Sequence, residues 1–258
     1  MAKGKRFRSE KFKKIKNMLI IFLLISLIYI VYYVWNSKKE QNETDELLNS
    51  VEIDISNQDE SVTERMLEVK ALKEQYSDIV AWLEIEGTNI NYPVMQGTDN
   101  DFYVNHDYKG EKSIRGSIFL DKGYNWSIPS NNLLLYGHNN SKDGTMFADL
   151  LKYKDENFCK EHSTIKFTTP EEDAEYEIIS VFLSRIYYKS ETDVYRWYYF
   201  IDAENEEKYN EYINYVKENS LYDIEKTAEY GEQIITLVTC EYSTENGRLA
   251  VVAKKKIQ

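Results

Sequence analysis

Residues 235–249 read ITLVTCEYSTENGRL, and the fold turns on how they are read. An apolar, β-branched run climbs to one cysteine, Cys240, and breaks into polar turn residues. An arginine, Arg248, then appears as a second apolar run, LAVVA, begins. Two such runs on either side of a polar turn predict neighbouring strands, with Cys240 closing one and Arg248 opening the next at the same edge. A thiol in that place could be filler, half of a disulfide, a metal ligand or a nucleophile, and the local run leaves all four open.

Working outward, the same texture recurs. VAWLEIEGTNINYPVMQG holds short β-like pieces punctuated by Gly87, Pro93 and Gly97, and GSIFLD, NNLLLYGHNN, STIKFTT and AEYEIISVFLSRIYY continue the series. With the two runs around Cys240 this makes about eight short strands. Helical spacing of Met66, Val69 and Leu72 behind a Ser61/Thr63 start signal predicts a helix packed against the first strands. TMFADLLKYKDENFCKEH and AENEEKYNEYINYVKENS predict two more. The irregular alternation excludes a doubly wound sheet and fits a mainly β fold, a barrel or sandwich with peripheral helices.

The N-terminus has a different chemistry. Residues 1–17 hold eight Lys or Arg against one acid, whereas the whole chain carries −12, so the rest is strongly acidic. Residues 18–35, MLIIFLLISLIYIVYYVW, are uninterrupted by charge and of membrane-spanning length, with aromatics at the far end. They end without the small-x-small site of a cleaved leader, so a retained transmembrane signal anchor is expected. The positive-inside rule then places residues 1–17 in the cytoplasm and everything after the anchor outside the cell membrane. Residues 36–62, acidic and poor in aromatics, predict a flexible stalk, and residues 63–258 a single folded domain. An acidic ectodomain without clustered Lys and Arg excludes nucleic acid as a partner.

Only three histidines exist: His106, His138 and His162. His138 ends the apolar run NNLLLYGH and is followed by Asn139, Asn140 and Ser141, so it sits where a buried strand emerges into a polar loop. Cys240 occupies the equivalent place on its own strand. A thiolate can attack a carbonyl, an imidazolium can protonate a leaving amine, and the forked donors of Arg248 can hold an oxyanion or orient a carbonyl. Against this, a strand-end Cys also fits as a small apolar residue, a His beside Gly and Asn as loop, and an Arg after a turn as a solvated cation. Cys159 and His162 lie three apart, but two ligands do not make a metal site and no CxxC or HExxH joins them, so a structural Cys159 is the better reading. A disulfide from Cys159 to Cys240 is permitted outside the cell and would consume the nucleophile.

TLVTC with an Arg eight residues after the cysteine, preceded about a hundred residues earlier by LLLYGHN, resembles the sortases, membrane-anchored cysteine transpeptidases of Gram-positive bacteria. VAWLEIEGTNINYPVMQGTDNDFYVNHDYKG, GSIFLD and the helix NEEKYNEYINYVKENS are similar to the class B branch. The resemblance implies an eight-stranded sortase-type β-barrel with an N-terminal helix and a helix inserted between late strands. It implies Cys240 as nucleophile, His138 as general acid and Arg248 as oxyanion or positioning group, with Asn100, Val104, Tyr198 and Glu241 lining the sorting-signal groove. One departure is Val238, where many class B relatives carry a small hydroxyl residue.

The implied reaction is cleavage of an NPxTx or PxTG-like signal after Thr through a thioacyl intermediate, then transfer to a peptidoglycan or lipid-linked precursor amine. The implied partners are surface proteins bearing a C-terminal sorting signal, and neither metal nor organic cofactor is required. A pilus-polymerising sortase, a membrane-tethered cysteine protease and a non-catalytic extracellular scaffold are the alternatives.

Overall fold

Along Ile234–Cys240 (β9), Ile234, Thr236 and Val238 alternate with Ile235, Leu237 and Thr239, and all six are buried. A strand buried on both faces must be covered on both, which here means a barrel interior on one side and a helix on the other. The computed structural model describes residues 2–53 and 61–257; the side chains of residues 2–12, 33, 34, 36–42 and 45 lie outside that description.

The remaining strands are Ile79–Glu84 (β1), Asn91–Met95 (β2), Ile118–Leu120 (β3), Asn132–Tyr136 (β4), Asn139–Asn140 (β5), Thr145–Met146 (β6), Thr164–Thr168 (β7), Asp173–Arg185 (β8) and Gly247–Lys255 (β10). Eight of the ten close a barrel in the order β1-β2-β3-β4-β9-β10-β8-β7, while β5 and β6 form a separate two-stranded ladder. Two neighbouring pairs, β2 with β3 and β4 with β9, are parallel. The expected mainly β fold is therefore found as a closed mixed barrel.

Period-two alternation divides each strand between two cores. Leu133, Leu135, Ile235, Leu237, Leu249 and Val251 fill the barrel. Leu134, Val238, Ala250 and Val252 face outward against Tyr209, Tyr212, Ile213 and Val216 of Glu206–Glu218 (α4), the helix inserted between β8 and β9. Asn205 caps it, its side chain accepting from the Lys208 N–H at 3.0 Å. Glu64–Gln75 (α2) starts at Thr63, whose hydroxyl accepts from the Met66 N–H at 3.3 Å, and covers Ile79, Trp82 and Met95 with Val69 and Leu72.

Two expectations are corrected. The helix foreseen over TMFADLLKYKDENFCKEH is a 3-10 turn, Ala148–Lys154, followed by Glu156–Glu161 (α3). Asp155 separates them because its carboxylate caps the second helix, accepting from the Asn157 N–H at 2.8 Å. The stalk foreseen over 36–62 is helical through Asn49, as the end of Ala2–Asn49 (α1). Leu47 is buried with Val69 and Leu72, and Leu48 and Val51 pack alongside. The compact unit accordingly begins at Leu47 rather than at residue 63. Residues 54–60 of the foreseen stalk lie outside the described residues. In the other unit, which ends at Glu46, Lys13–Tyr32 has a mean hydropathy of 2.2 and none of it is buried, so it is long and apolar enough to cross a membrane.

Candidate active site

The parallel ladder of β4 and β9 pairs Tyr136 with Val238, and two residues further along each chain stand His138 and Cys240. The antiparallel ladder of β9 and β10 pairs Cys240 with Arg248 directly. Three adjacent strands thus bring an imidazole, a thiol and a guanidinium to one edge of the barrel. Cys240 and Arg248 continue the outward-facing set, since each lies two residues from Val238 or Ala250 on its own strand, and His138 follows the end of β4 by two residues. The Glu241 N–H donates to the Gly247 carbonyl at 3.0 Å. The alternation of an antiparallel ladder then makes Cys240 and Arg248 a non-hydrogen-bonded pair, where facing side chains come closest.

Local chemistry fixes each group. His138 is reached through Gly137, where a Cβ would stand 2.4 Å from Ile118 Cδ1 and 2.7 Å from Phe147 Cδ2. Only glycine permits that approach. The Gly137 N–H donates to Val238 O at 3.1 Å, and the Thr239 hydroxyl donates back to Gly137 O at 2.9 Å. His138 Nε2 lies 2.8 Å from the Val104 carbonyl. A carbonyl only accepts, so that nitrogen carries a proton and Nδ1 is the one left for chemistry. Cys240 is a free, half-buried thiol. Arg248 donates to its own hairpin, to Gly247 O at 2.9 Å and Asn246 O at 3.3 Å.

Beneath them lies a buried polar network that sequence reasoning did not single out. Asp121, 8% exposed, accepts from Asn100 Nδ2 at 2.8 Å, from the Tyr136 hydroxyl at 3.1 Å and from the Gly123 N–H at 2.8 Å. Burial, foremost, and the Asp121 carboxylate hold the Tyr136 hydroxyl far above its usual range, with Arg248 opposing. FLDKG in the sequence reads as a strand followed by a turn, so nothing local marks this acid as buried.

The four groove residues inferred from resemblance fall in different settings. Asn100 has both ends of its amide engaged, its oxygen accepting from the Lys122 N–H at 2.8 Å. Val104 meets His138 through its carbonyl. Tyr198 is buried, and its hydroxyl accepts from the Tyr187 N–H at 3.1 Å, while the next residue, Tyr199, is 73% exposed. Glu241 is buried and clamped: one carboxylate oxygen takes Lys154 Nζ at 2.6 Å, the other the Ser243 N–H at 3.0 Å and hydroxyl at 2.5 Å. Burial pushes its carboxyl upward, but Lys154 and Ser243 together outweigh it and hold the group below the usual carboxylate range.

The other candidates are structural. His162 packs against Phe158 and over Gly87, and His106 stacks on Phe102 at 3.9 Å with Nδ1 2.7 Å from the Phe102 carbonyl. Cys159 is buried in α3 and, like Cys240, is free, so the two are not joined.

Comparison with known proteins adds an independent line. The Sortase domain family matches residues 83–256. The chain is similar to sortase B of Listeria monocytogenes, 38% identical over 191 residues covering 72% of this chain and 73% of that protein. It is also similar to sortase B of Staphylococcus aureus, 33% identical with the same coverage of each. Among solved structures, sortase B from Bacillus anthracis in complex with AAEK1 superposes with a TM-score of 0.71 at 32% identity, covering 87% of this chain and 100% of that one. The Staphylococcus aureus sortase B-substrate complex gives 0.69 at 28% identity, covering 86% and 94%.

Proposed function

Because the chain belongs to the sortase family, as a sortase B-type cysteine transpeptidase that anchors proteins to the cell wall, we propose that Cys240 is its nucleophile, His138 its general acid and base, and Arg248 the cation that steadies the oxyanion. The observation that carries this reading is the register that sets Cys240 opposite Arg248 on one side and, on the other, beside the strand β4 that leads into His138.

In the first half-reaction the Cys240 thiolate adds to the carbonyl carbon of the Thr in an NPxTx or PxTG-like sorting signal. The charge that develops on oxygen meets the donors of Arg248. Collapse breaks the C–N bond, and the departing amine takes the proton from His138 Nδ1 while Nε2–H stays with the Val104 carbonyl. A thioacyl enzyme remains. In the second half, a peptidoglycan-precursor amine adds to the thioester, gives a proton back to His138, and expels the Cys240 thiolate. Asn100, Val104, Tyr198 and Glu241 contribute to the walls and framework of the groove. Residues 1–17 form a cytoplasmic tail, 18–35 the membrane anchor, and the barrel acts on the outer face, where substrate and acceptor meet.

The test is mass spectrometry of the ectodomain, from residue 37 onward, with NPQTN-type and PPKTG-type peptides, with and without an added amine. The expected result is a thioacyl adduct on Cys240 and an amine-linked product, both absent in Cys240→Ala. Cleavage that ignores the amine would recast the enzyme as a hydrolase, and no cleavage by a folded domain would reject both signals.

A further inference from the structure

Asn139, the residue after His138, is 93% buried by its 7% exposure, and its side chain does something a β-sheet normally asks of the backbone. In the parallel ladder between β4 and β9 the Gly137 N–H donates to Val238 O. The pattern would next call for the N–H two residues on to serve the Cys240 carbonyl. Instead the chain turns out of the sheet at His138, whose own carbonyl is taken by the Phe147 N–H at 2.9 Å, and the Asn139 side-chain Nδ2 supplies the missing donor to Cys240 O at 2.9 Å. The amide cannot be turned over, because its oxygen would then face the Cys240 carbonyl.

This arrangement leaves Asn139 Oδ1 buried and, among the described residues, without a hydrogen-bond partner. An unmet buried acceptor is a cost to folding, set here against the donor that the same side chain gives the Cys240 carbonyl.

We infer that Asn139 is a positioning residue for the transpeptidation: its side-chain amide ties the loop carrying His138 to the peptide carrying Cys240 and so sets the separation of acid and nucleophile. This rests on the roles assigned to those two residues above. Asn139 acts through both neighbours and touches neither the scissile bond nor the acceptor.

The experiment compares Asn139→Leu, with Asn139→Ala as a second variant in case Leu is overpacked, against His138→Ala, Cys240→Ala and the unaltered ectodomain. The readouts are melting temperature, kcat and KM for the cleaved sorting peptide, and the pH profile of Cys240 alkylation by iodoacetamide. The expected variant still folds, with Tm modestly lowered by loss of the bond to the Cys240 carbonyl, and keeps KM. Its kcat falls by about 100-fold, the scale of a misplaced reacting group, and its alkylation profile moves toward that of His138→Ala. A folded variant with unchanged kcat and profile overturns the inference, as does loss of folding in both variants, which would make Asn139 structural. If Cys240→Ala or His138→Ala retains cleavage, the assignment of acid and nucleophile fails instead.

Discussion

The chain contains two cysteines, and the two regions that hold them are opposites. Cys159 sits in a short helix, 4% exposed, next to Tyr222 and among barrel-core residues. Burial pushes its thiol up, with the Tyr222 hydrogen bond only partly opposing and Glu156 adding to the rise. Cys240 sits half-buried at the end of β9, opposite a guanidinium and beside the strand that leads into His138. Reactivity in a thiol follows access to the thiolate and the cations around it, and only the second region offers both. What separates them is topology: a strand end shared with two neighbours gathers groups, whereas a helix packed on the barrel wall shields them.

The sharpest test of that contrast is Cys240→Ala, expected to reduce transpeptidation to background with Tm little changed, as read by amine-dependent product formation. A variant that keeps turnover would break the comparison outright. Gly137→Ala comes next. Its Cβ would press on Ile118 and Phe147, and overpacking of this kind costs about 1–3 kcal/mol. Because relief requires moving the segment that leads to His138, activity per folded molecule is expected to fall as well. A Tm loss with unaltered kcat would show that the site tolerates the shift.

How much of this was legible in the sequence follows the range of the interactions. β9 and β10 are neighbours in sequence joined by a short turn, so the opposition of Cys240 and Arg248 could be read from residues 235–249 alone. That His138 joins them depends on a parallel pairing across about a hundred residues, which no local pattern encodes; the chemical complementarity of two strand ends and the resemblance to sortases supplied it. The burial of Asp121 and the Glu241 clamp were illegible for the same reason, since Asn100, Tyr136 and Lys154 reach them from distant elements. The helical continuation to Asn49 was missed because acidic composition was weighed over the apolar pair Leu47 and Leu48, which find partners on α2 only in three dimensions.

A smaller effect is expected at the clamp itself. Glu241→Gln keeps the shape and removes the charge that holds Lys154, so the hairpin carrying Arg248 loosens. The pair is partly exposed on the Lys154 side, and solvent screening limits the loss to about 1 kcal/mol. The folded carboxyl lies below its ordinary value of 4.5. Its contribution is therefore complete above that value and disappears as pH falls through the depressed one. The Tm gap between the unaltered protein and Glu241→Gln should be constant near neutrality and close on acidification below pH 4.5, with activity reduced several-fold. A gap that widens on acidification would reverse the sign and remove the clamp.

The smallest effect on activity belongs to the other cysteine. Cys159→Ala removes a sulfur from a packed site bounded by Tyr153 and Tyr222, and the typical single substitution of this kind costs about 1 kcal/mol. It leaves the β9 edge untouched, so kcat and KM should stay as they are. Iodoacetamide should modify one thiol in the native ectodomain and two after denaturation, and in Cys159→Ala one under both conditions. Equal native labelling of the two thiols would mean that α3 opens readily and that burial does not distinguish them. Labelling confined to Cys240 would mean that the fold silences one thiol and leaves the other accessible for acyl transfer.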